Sequence, residues 1–288
     1  MSDEYRKVLL IDDERGQARI LEAYFNKFTS EKFQLIWAPT YVEGLAEFRR
    51  GIYAACLLDF HIGERNGLEF MHEPSLRDIN TPVIFLTSEG SGDVDGQALD
   101  AGALDFLVKS EINPRSLERS LRYTLRLQET LMELNRLATR DLLTGICNRK
   151  EGLRILENEV KRSRQFERPL SALLINIDRM KAFNENFDSS AGDRLLVQVA
   201  KAIETEVRPV DSVVRWQGDE FGVWLVETDA VQGRREAERI REAIRPFGCT
   251  VSIGVAEWSP KRDNAQDLVD AADKALCEAK WAGRDRVA

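Results

Sequence analysis

Cysteine is scarce in this chain: its four residues, Cys56, Cys147, Cys249 and Cys277, show neither C-x-x-C spacing nor a histidine partner. Disulfide frameworks, zinc sites and thiol catalysis therefore have no footing, and a reduced, cytoplasmic setting fits. No apolar run approaches the roughly 18 residues that a membrane-crossing helix needs, and MSDEYRK opens polar and acidic, unlike a signal peptide. A basic excess is lacking too. Against 41 Lys and Arg stand 49 Asp and Glu, interspersed along the chain, for a net charge of −8. That balance excludes a basic nucleic-acid binder or membrane-surface protein, so the expectation is no nucleic acid and no membrane among the partners.

With 288 residues, two domains of ordinary size are expected. In the first half, the apolar runs KVLLI, FQLIWA, AACLLDF, PVIFLT and DFLVK alternate with amphipathic segments. Continuous apolar strands separated by helices predict a doubly wound parallel sheet in the order 2-1-3-4-5, whose ligands sit beyond the carboxyl ends of the strands. At those ends stand Asp12 and Asp13 after strand one, Asp59 after strand three, Thr87 after strand four and Lys109 after strand five. Three converging carboxylates repel one another without a cation, and an all-oxygen set suits Mg²⁺ (Mg2+). Capping of the next helix is the alternative for Asp12 or Asp13 alone. It does not account for all five positions together.

These residues resemble a response-regulator receiver domain, flavodoxin-like in fold. The resemblance implies that Asp59 accepts a phosphoryl group from a cognate histidine kinase, that Asp12, Asp13 and Asp59 hold Mg²⁺, and that Thr87 and Lys109 contact the phosphoryl oxygens. Phe106 matches the family's switch aromatic, with a plain core role as the alternative. Ser110 departs from the proline that many receivers carry there.

After Pro114 the chain reads SLERSLRYTLRLQETLMELNRLATR, without Gly or Pro, which predicts a long helix. Leu117, Ser120, Thr124, Leu127, Leu131, Leu134 and Ala138 recur at steps of three and four, the spacing of a coiled-coil seam. The preferred reading is a homodimer helix, and the other is the receiver's last helix extended as a rigid spacer. The expected organisation is a receiver domain over 1–126, a helical linker over 127–140 and a second domain over 141–288.

The second half predicts strand, helix, hairpin, helix, strand and helix, a βαββαβ order with a mostly antiparallel sheet and helices on one face. At the hairpin, RWQGDEFGVW sets Asp219 and Glu220 after Gly218. A glycine suits the turn. Two acids are not needed for turning.

DLLTGICNR, INIDRMKAFNENFDSSAGD, RPVD, QGDEF, VSIGVA and ADKALCEAKWAGRDRV resemble, in order and spacing, the GGDEF domain of diguanylate cyclases, an α+β, ferredoxin-like (nucleotidyl-cyclase-like) fold. Members pair two domains, each holding GTP on Mg²⁺, and join the GTPs into cyclic di-GMP. The resemblance makes Asp219 a metal ligand, Glu220 its acidic neighbour, Asn184 and Asp193 readers of guanine, and Lys280 and Arg284 phosphate grips from one face of the last helix. An ordinary basic helix end remains open for the last two. Arg208 and Asp211 match the RxxD product-binding site, with a surface ion pair as the alternative. The departures gather at the pocket. Asn176 stands where the family has its first metal-binding carboxylate, Gln217 replaces the first glycine of the G-G pair, Asp188-Ser189 replaces G-H, and Cys277 replaces a tyrosine. They predict impaired catalysis in a domain that binds cyclic di-GMP or GTP, an active cyclase being the other reading.

Overall fold

The structure is a computed structural model that describes residues 5–29, 31–76, 79–88, 92–259 and 264–288. The chain divides into two compact units, Met1–Glu133 and Leu134–Ala288.

The first unit runs β1 (Arg6–Ile11), α1 (Arg15–Phe25), β2 (Phe33–Ala38), α2 (Tyr41–Phe48), β3 (Ala55–Asp59), the two-residue pair β4 (His61–Ile62) and β5 (Arg65–Asn66), α3 (Gly67–Met71), β6 (Val83–Thr87), α4 (Gly92–Asp100), β7 (Asp105–Val108) and most of α5 (Pro114–Thr139). Its main sheet has the order β2-β1-β3-β6-β7, with every pair parallel, as the alternating apolar runs predict. Successive side chains on a strand point to opposite faces, so an all-apolar strand needs cover on both. Leu9, Ile11, Cys56, Leu58 and Phe85 accordingly pack into one core, and Val8, Leu10, Leu57, Ile84 and Leu86 into another. This burial leaves the first polar residues, Asp12 and Asp59, at the strand ends.

α5 corrects half of the expected seam. Leu117, Ser120 and Thr124 are buried within the first unit, Leu117 in the same core as Leu121 and Leu125. Their spacing serves the receiver's own packing. Further along, Leu131 and Leu134 are 44% and 57% exposed and Ala138 is also exposed, with Leu127 half-buried.

The second unit continues with β8 (Cys147–Asn148), α6 (Arg149–Phe166), β9 (Leu170–Ile177), α7 (Met180–Phe187), α8 (Ser189–Glu206), β10 (Ser212–Gln217), β11 (Glu220–Val226), α9 (Ala230–Ile244), β12 (Val251–Glu257) and α10 (Ala265–Trp281). The sheet order is β12-β9-β11-β10-β8, antiparallel except for β8 beside β10. Helices cover both faces, not one. Leu173, Ile175, Phe221, Val223 and Ile253 pack with α8 and α9, whereas Leu174, Val214, Trp216 and Trp224 pack with α6 and α10. The reason is visible in β9, which is apolar at consecutive positions and so needs two covers. α6 is absent from the sequence reading, although Asn148 caps its first turn by accepting from the Glu151 N–H at 2.9 Å, a pattern legible as Asn-x-x-Glu.

The last helix is shorter than expected. Gly283, at φ 113°, follows the helix end, and the Arg284 N–H donates back to the Ala279 carbonyl at 3.1 Å, closing a Schellman turn. Arg284 therefore lies beyond the helix in left-handed geometry, φ 64°, and does not share a helical face with Lys280. The chain then returns to pair beside β12 through Val287.

Candidate functional sites

β1 and β3 are neighbours, so the acids that follow them meet. Ligand oxygens of Asp12, Asp13 and Asp59 lie within 4.8 Å of one another, as the strand-end reading predicts. Lys109, just past β7, donates to Asp59 Oδ2 at 2.7 Å and sits 3.0 Å from Asp12 Oδ2. Asp12 is fully buried and Asp59 is 5% exposed, while Asp13 is exposed. Burial pushes both Asp12 and Asp59 above the usual carboxylate range, and the Lys109 ammonium only partly offsets it. For Lys109, burial opposes the charge, but the two carboxylates outweigh it and hold the group above its ordinary value.

The donor set fits a hard divalent cation: three carboxylates in oxygen-only surroundings, one oxygen of which, Asp12 Oδ2, is buried without an aligned hydrogen bond. Asp12 Oδ1 accepts from the Glu14 N–H at 2.8 Å, and Asp13 Oδ2 from the Gly63 N–H at 3.0 Å. Thr87 ends β6 one residue beyond the Asp59–Leu86 register pair and is buried there. Asp59 and Lys109 line an open pocket of about 510 Å³ with Asp13, His61, Ser88 and Ser110. Phe106 pairs with Phe85 in register and is half-buried against the core.

In the second unit, Asp219 and Glu220 fall on two sides of the hairpin. Gly218 takes φ 56° at the turn, a conformation that suits glycine. Asp219 lines a cleft of about 640 Å³ with Asn184, Lys181, Glu185, Ser189 and Arg215. Glu220 pairs in register with Asn176, and Lys280 of α10 donates to Glu220 Oε1 at 3.5 Å. Asn176 shares its strand face with Ala172 and Leu174, which pack with α6 and α10. The position that the resemblance makes metal-binding thus offers a neutral amide in register with one carboxylate, Glu220, which is already paired with a cation. This is a poorer fit to a divalent ion than the first pocket.

Asn184 and Asp219 come together in the cleft; Asp193, exposed on α8, and Arg284 are not among the residues that line it. Asn184 Oδ1 is buried without a partner among the described residues, pressed on Gly192 so closely that a Cβ there would lie 1.9 Å away. Gln217 is exposed and does not line the cleft. Asp188, in place of glycine, takes φ 111° and ψ 164°, a region otherwise almost reserved for glycine, while its carboxylate caps α8 at the Ala191 N–H, 2.7 Å.

Two residues that sequence reasoning missed brace the turn. Arg215 donates twice to the Gly218 carbonyl, at 3.1 and 3.0 Å, and once to Asp141 Oδ1 at 2.8 Å. Burial of Asp141 opposes its charge, but Arg215 and Thr144 outweigh this and hold it below the usual range. A lone arginine in a strand gives no sequence signal for this role. Arg208 and Asp211 are paired as the RxxD spacing predicts. The Arg208 Nε and one terminal nitrogen fork onto Asp211 at 3.0 Å each, and that nitrogen also donates to the Val226 carbonyl and Thr228. Asp211 holds the Arg208 guanidinium above its ordinary value; the Arg208 side chain is 55% exposed, and its other terminal nitrogen is without a protein partner among the described residues.

A parallel sheet ending in an acid pocket, followed by an antiparallel sheet with paired acids at a hairpin tip, defines a receiver joined to a cyclase-like domain. Residues 138–286 match the family described as diguanylate cyclase, GGDEF domain, and residues 8–122 match the response regulator receiver domain. The chain belongs to the GGDEF family and carries a receiver domain ahead of that domain. It is similar to the response regulator PleD of Caulobacter vibrioides, 34% identical over 209 residues that make up 69% of this chain and 45% of PleD. Diguanylate cyclase A of Treponema denticola is 39% identical over 127 residues, 41% of this chain and 34% of that protein. The chain thus spans less than half the length of these curated relatives.

Among solved structures, the coiled coil and GGDEF domain of DgcB from Caulobacter crescentus, in complex with c-di-GMP, aligns at a TM-score of 0.57 and 28% identity, covering 60% of this chain and 96% of that one. The diguanylate cyclase SiaD from Pseudomonas aeruginosa, in complex with its activator SiaC, aligns at 0.50 and 33% identity, covering 60% and 72%. Among the described residues, no helix is long and apolar enough to cross a membrane.

Proposed function

We propose that this chain is a phosphorylation-controlled response regulator of cyclic di-GMP signalling whose GGDEF domain binds cyclic di-GMP or GTP and is impaired in catalysis. In the receiver, a carboxylate oxygen of Asp59 takes the phosphoryl group from a histidine kinase as the bond to the donor breaks. Lys109 and the Thr87 hydroxyl face the transferred oxygens. Mg²⁺ held by Asp12, Asp13 and Asp59 supplies neutralisation of the developing charge when bound. The stretch of α5 from the half-buried Leu127 through the exposed Leu131, Leu134 and Ala138 offers an apolar stripe to a second copy of the chain, and phosphorylation strengthens that pairing.

The observation that carries impaired catalysis is Asn176, in register with Glu220 while Lys280 holds Glu220. A unit negative charge about 3 Å from a divalent ion, at an effective dielectric of about 20, is worth roughly 11 kcal/mol gross, most of it offset by desolvation. A residual loss of about 3 kcal/mol is already more than a hundredfold. The second reading is an active cyclase that joins two GTP, is activated by phosphorylation-linked dimerisation and is inhibited by product. Asp219, Asn184 and Lys181 lining one cleft favour it.

GTP turnover with Mg²⁺ separates the two. Asn176→Asp should exceed wild type by at least about tenfold, and Gln217→Gly should add less, because the exposed Gln217 side chain obstructs nothing in the cleft. Wild-type turnover equal to that of Asn176→Asp would establish the second reading.

A further inference from the structure

The acid pocket has a support that no strand-end motif announces. Trp37 lies on β2, the edge strand, in register with Leu10 of β1. Its indole Nε1–H donates to the backbone carbonyl of Asp12 at 2.7 Å. The Asp12 N–H, on the other side, donates to the Ala38 carbonyl at 3.3 Å. The peptide linking Asp12 to Asp13 is thus tied to β2 at its oxygen. From that peptide the two carboxylates diverge, Asp12 toward Lys109 and Asp13 toward the Gly63 N–H.

We propose that Trp37 is a positioning residue for the phosphoacceptor pocket: its indole N–H sets the angle at which Asp12 and Asp13 present their oxygens to a divalent cation. The inference rests on the reading of Asp12, Asp13 and Asp59 as the Mg²⁺ pocket. Three features make the indole bond matter. Without the indole donor, the Asp12 carbonyl loses its bond to β2, the edge strand, and the Asp12 N–H bond to Ala38 is what still ties this residue's backbone there. Asp12 is fully buried, so a small tilt of its backbone moves the carboxylate against fixed neighbours. Trp37 itself is 37% exposed, so its ring contributes less packing than a core tryptophan, and Phe in its place removes the donor with little loss of the rest. The same bond makes the ring a reporter. Withdrawal of electron density from the Asp12–Asp13 peptide by a bound cation changes the acceptor that the indole N–H touches.

The test uses the full chain, wild type and Trp37→Phe, with Mg²⁺ and acetyl phosphate. Trp37 is the receiver's one tryptophan, the others being Trp216, Trp224, Trp258 and Trp281. Its indole resonance is therefore the one missing from the variant's nitrogen-proton spectrum. We expect that resonance to shift as Mg²⁺ is titrated into wild type. The half-saturating Mg²⁺ concentration for phosphorylation should rise about two- to tenfold in Trp37→Phe, the effect of one neutral hydrogen bond, with the maximal phosphorylated fraction and the urea midpoint unchanged. An indole resonance that does not move with Mg²⁺, or an unaltered half-saturation in the variant, would overturn the proposal. Loss of maximal phosphorylation together with a lowered urea midpoint would also overturn it, by assigning Trp37 to the scaffold. If wild type takes up no phosphoryl group at any Mg²⁺ concentration, the phosphoacceptor reading falls, and the resonance alone decides whether Trp37 senses the cation.

Discussion

The two acid pockets of this chain use similar residues and differ in how their charges are balanced. In the receiver, three carboxylates surround one ammonium, and Lys109 touches two of them, leaving an excess of negative charge for a cation. At the hairpin tip, Asn176 contributes no charge and Lys280 takes up Glu220, while the cleft that Asp219 faces sets its charge and that of Glu185 against Lys181 and Arg215. A site that must hold a divalent ion has to be under-neutralised by its own protein. By that measure the first pocket is ready, and the second is close to balanced before any ion arrives.

The largest test of this contrast is Asp59→Asn. Phosphorylation by acetyl phosphate should fall at least about a hundredfold, because an amide is no nucleophile toward phosphorus and carries one charge less for Mg²⁺. Intact-mass measurement reads it directly. Label persisting at the wild-type level would place the acceptor elsewhere and break the comparison.

Next in size is Arg208→Ala. With one terminal nitrogen of Arg208 left over from the Asp211 fork, cyclic di-GMP affinity should drop about tenfold or more in calorimetry, through loss of a charge-assisted contact. GTP binding at the hairpin should be unchanged. Equal affinity for cyclic di-GMP in both proteins would leave the pair as a structural clasp.

Smaller, and opposite in sign for the two domains, is the response to pH. Burial raises Asp12 and Asp59, so protons compete with Mg²⁺ above the ordinary aspartate value of about 3.9, and Mg²⁺ affinity at the receiver should decline as pH falls from neutral toward that range. In the metal-free receiver these two acids bind protons more readily folded than unfolded, so their contribution to stability grows on mild acidification. Asp141 is held below its ordinary value, and the stability it lends through Arg215 is present above the unfolded value and lost as pH falls through the folded one. Mg²⁺ titrations read from the Trp37 resonance at several pH values check the first half. Acid unfolding of Arg215→Ala, which should lose the Arg215 part of that pH dependence while Thr144 still donates to Asp141, checks the second.

The smallest effect concerns Asp188. Glycine there would release about 1–3 kcal/mol of backbone strain. It would give back a few tenths for the cap and up to about 1 kcal/mol in chain entropy. Asp188→Gly should therefore melt near wild type, while Asp188→Ala keeps the strain, loses the cap and should cost about 1 kcal/mol. Calorimetric unfolding of both variants measures the gap, and Ala matching Gly would remove strain from the account of this pocket.

Much of this was legible because buried parallel strands carry continuous apolar runs, and the first acid after each run had to stand at a ligand-binding edge. The receiver pocket follows from that rule, and so does the sheet order. The seam on α5 was half misread because a spacing of three and four says which side of a helix is apolar and not what covers it. Leu117 and Leu131 look alike in sequence, yet only the first is buried. The expectation that Lys280 and Arg284 share one helix face failed at Gly283, a helix stop that was present in the sequence and outweighed by the four-residue spacing. Asp188 was named as a replaced glycine, but Trp37 lay beyond reading, since a side-chain-to-carbonyl bond across strands leaves no trace in residue order.

The return of the chain beside β12 sets an order of assembly. Asp178, two residues after Asn176, has its carboxylate held by Thr250 and Ser252, both at 2.7 Å, and by the Asp285 N–H at 3.1 Å. Asp285 is in turn gripped by Arg241 and Arg245. Every strand of this sheet is made before Asp285 is, so during synthesis the turn after Asn176 waits for one of its holds until residues still inside the ribosome emerge. The sheet can form on a nascent chain with Thr250 and Ser252 already on Asp178, but the last hold on the turn that follows Asn176 arrives only with Asp285.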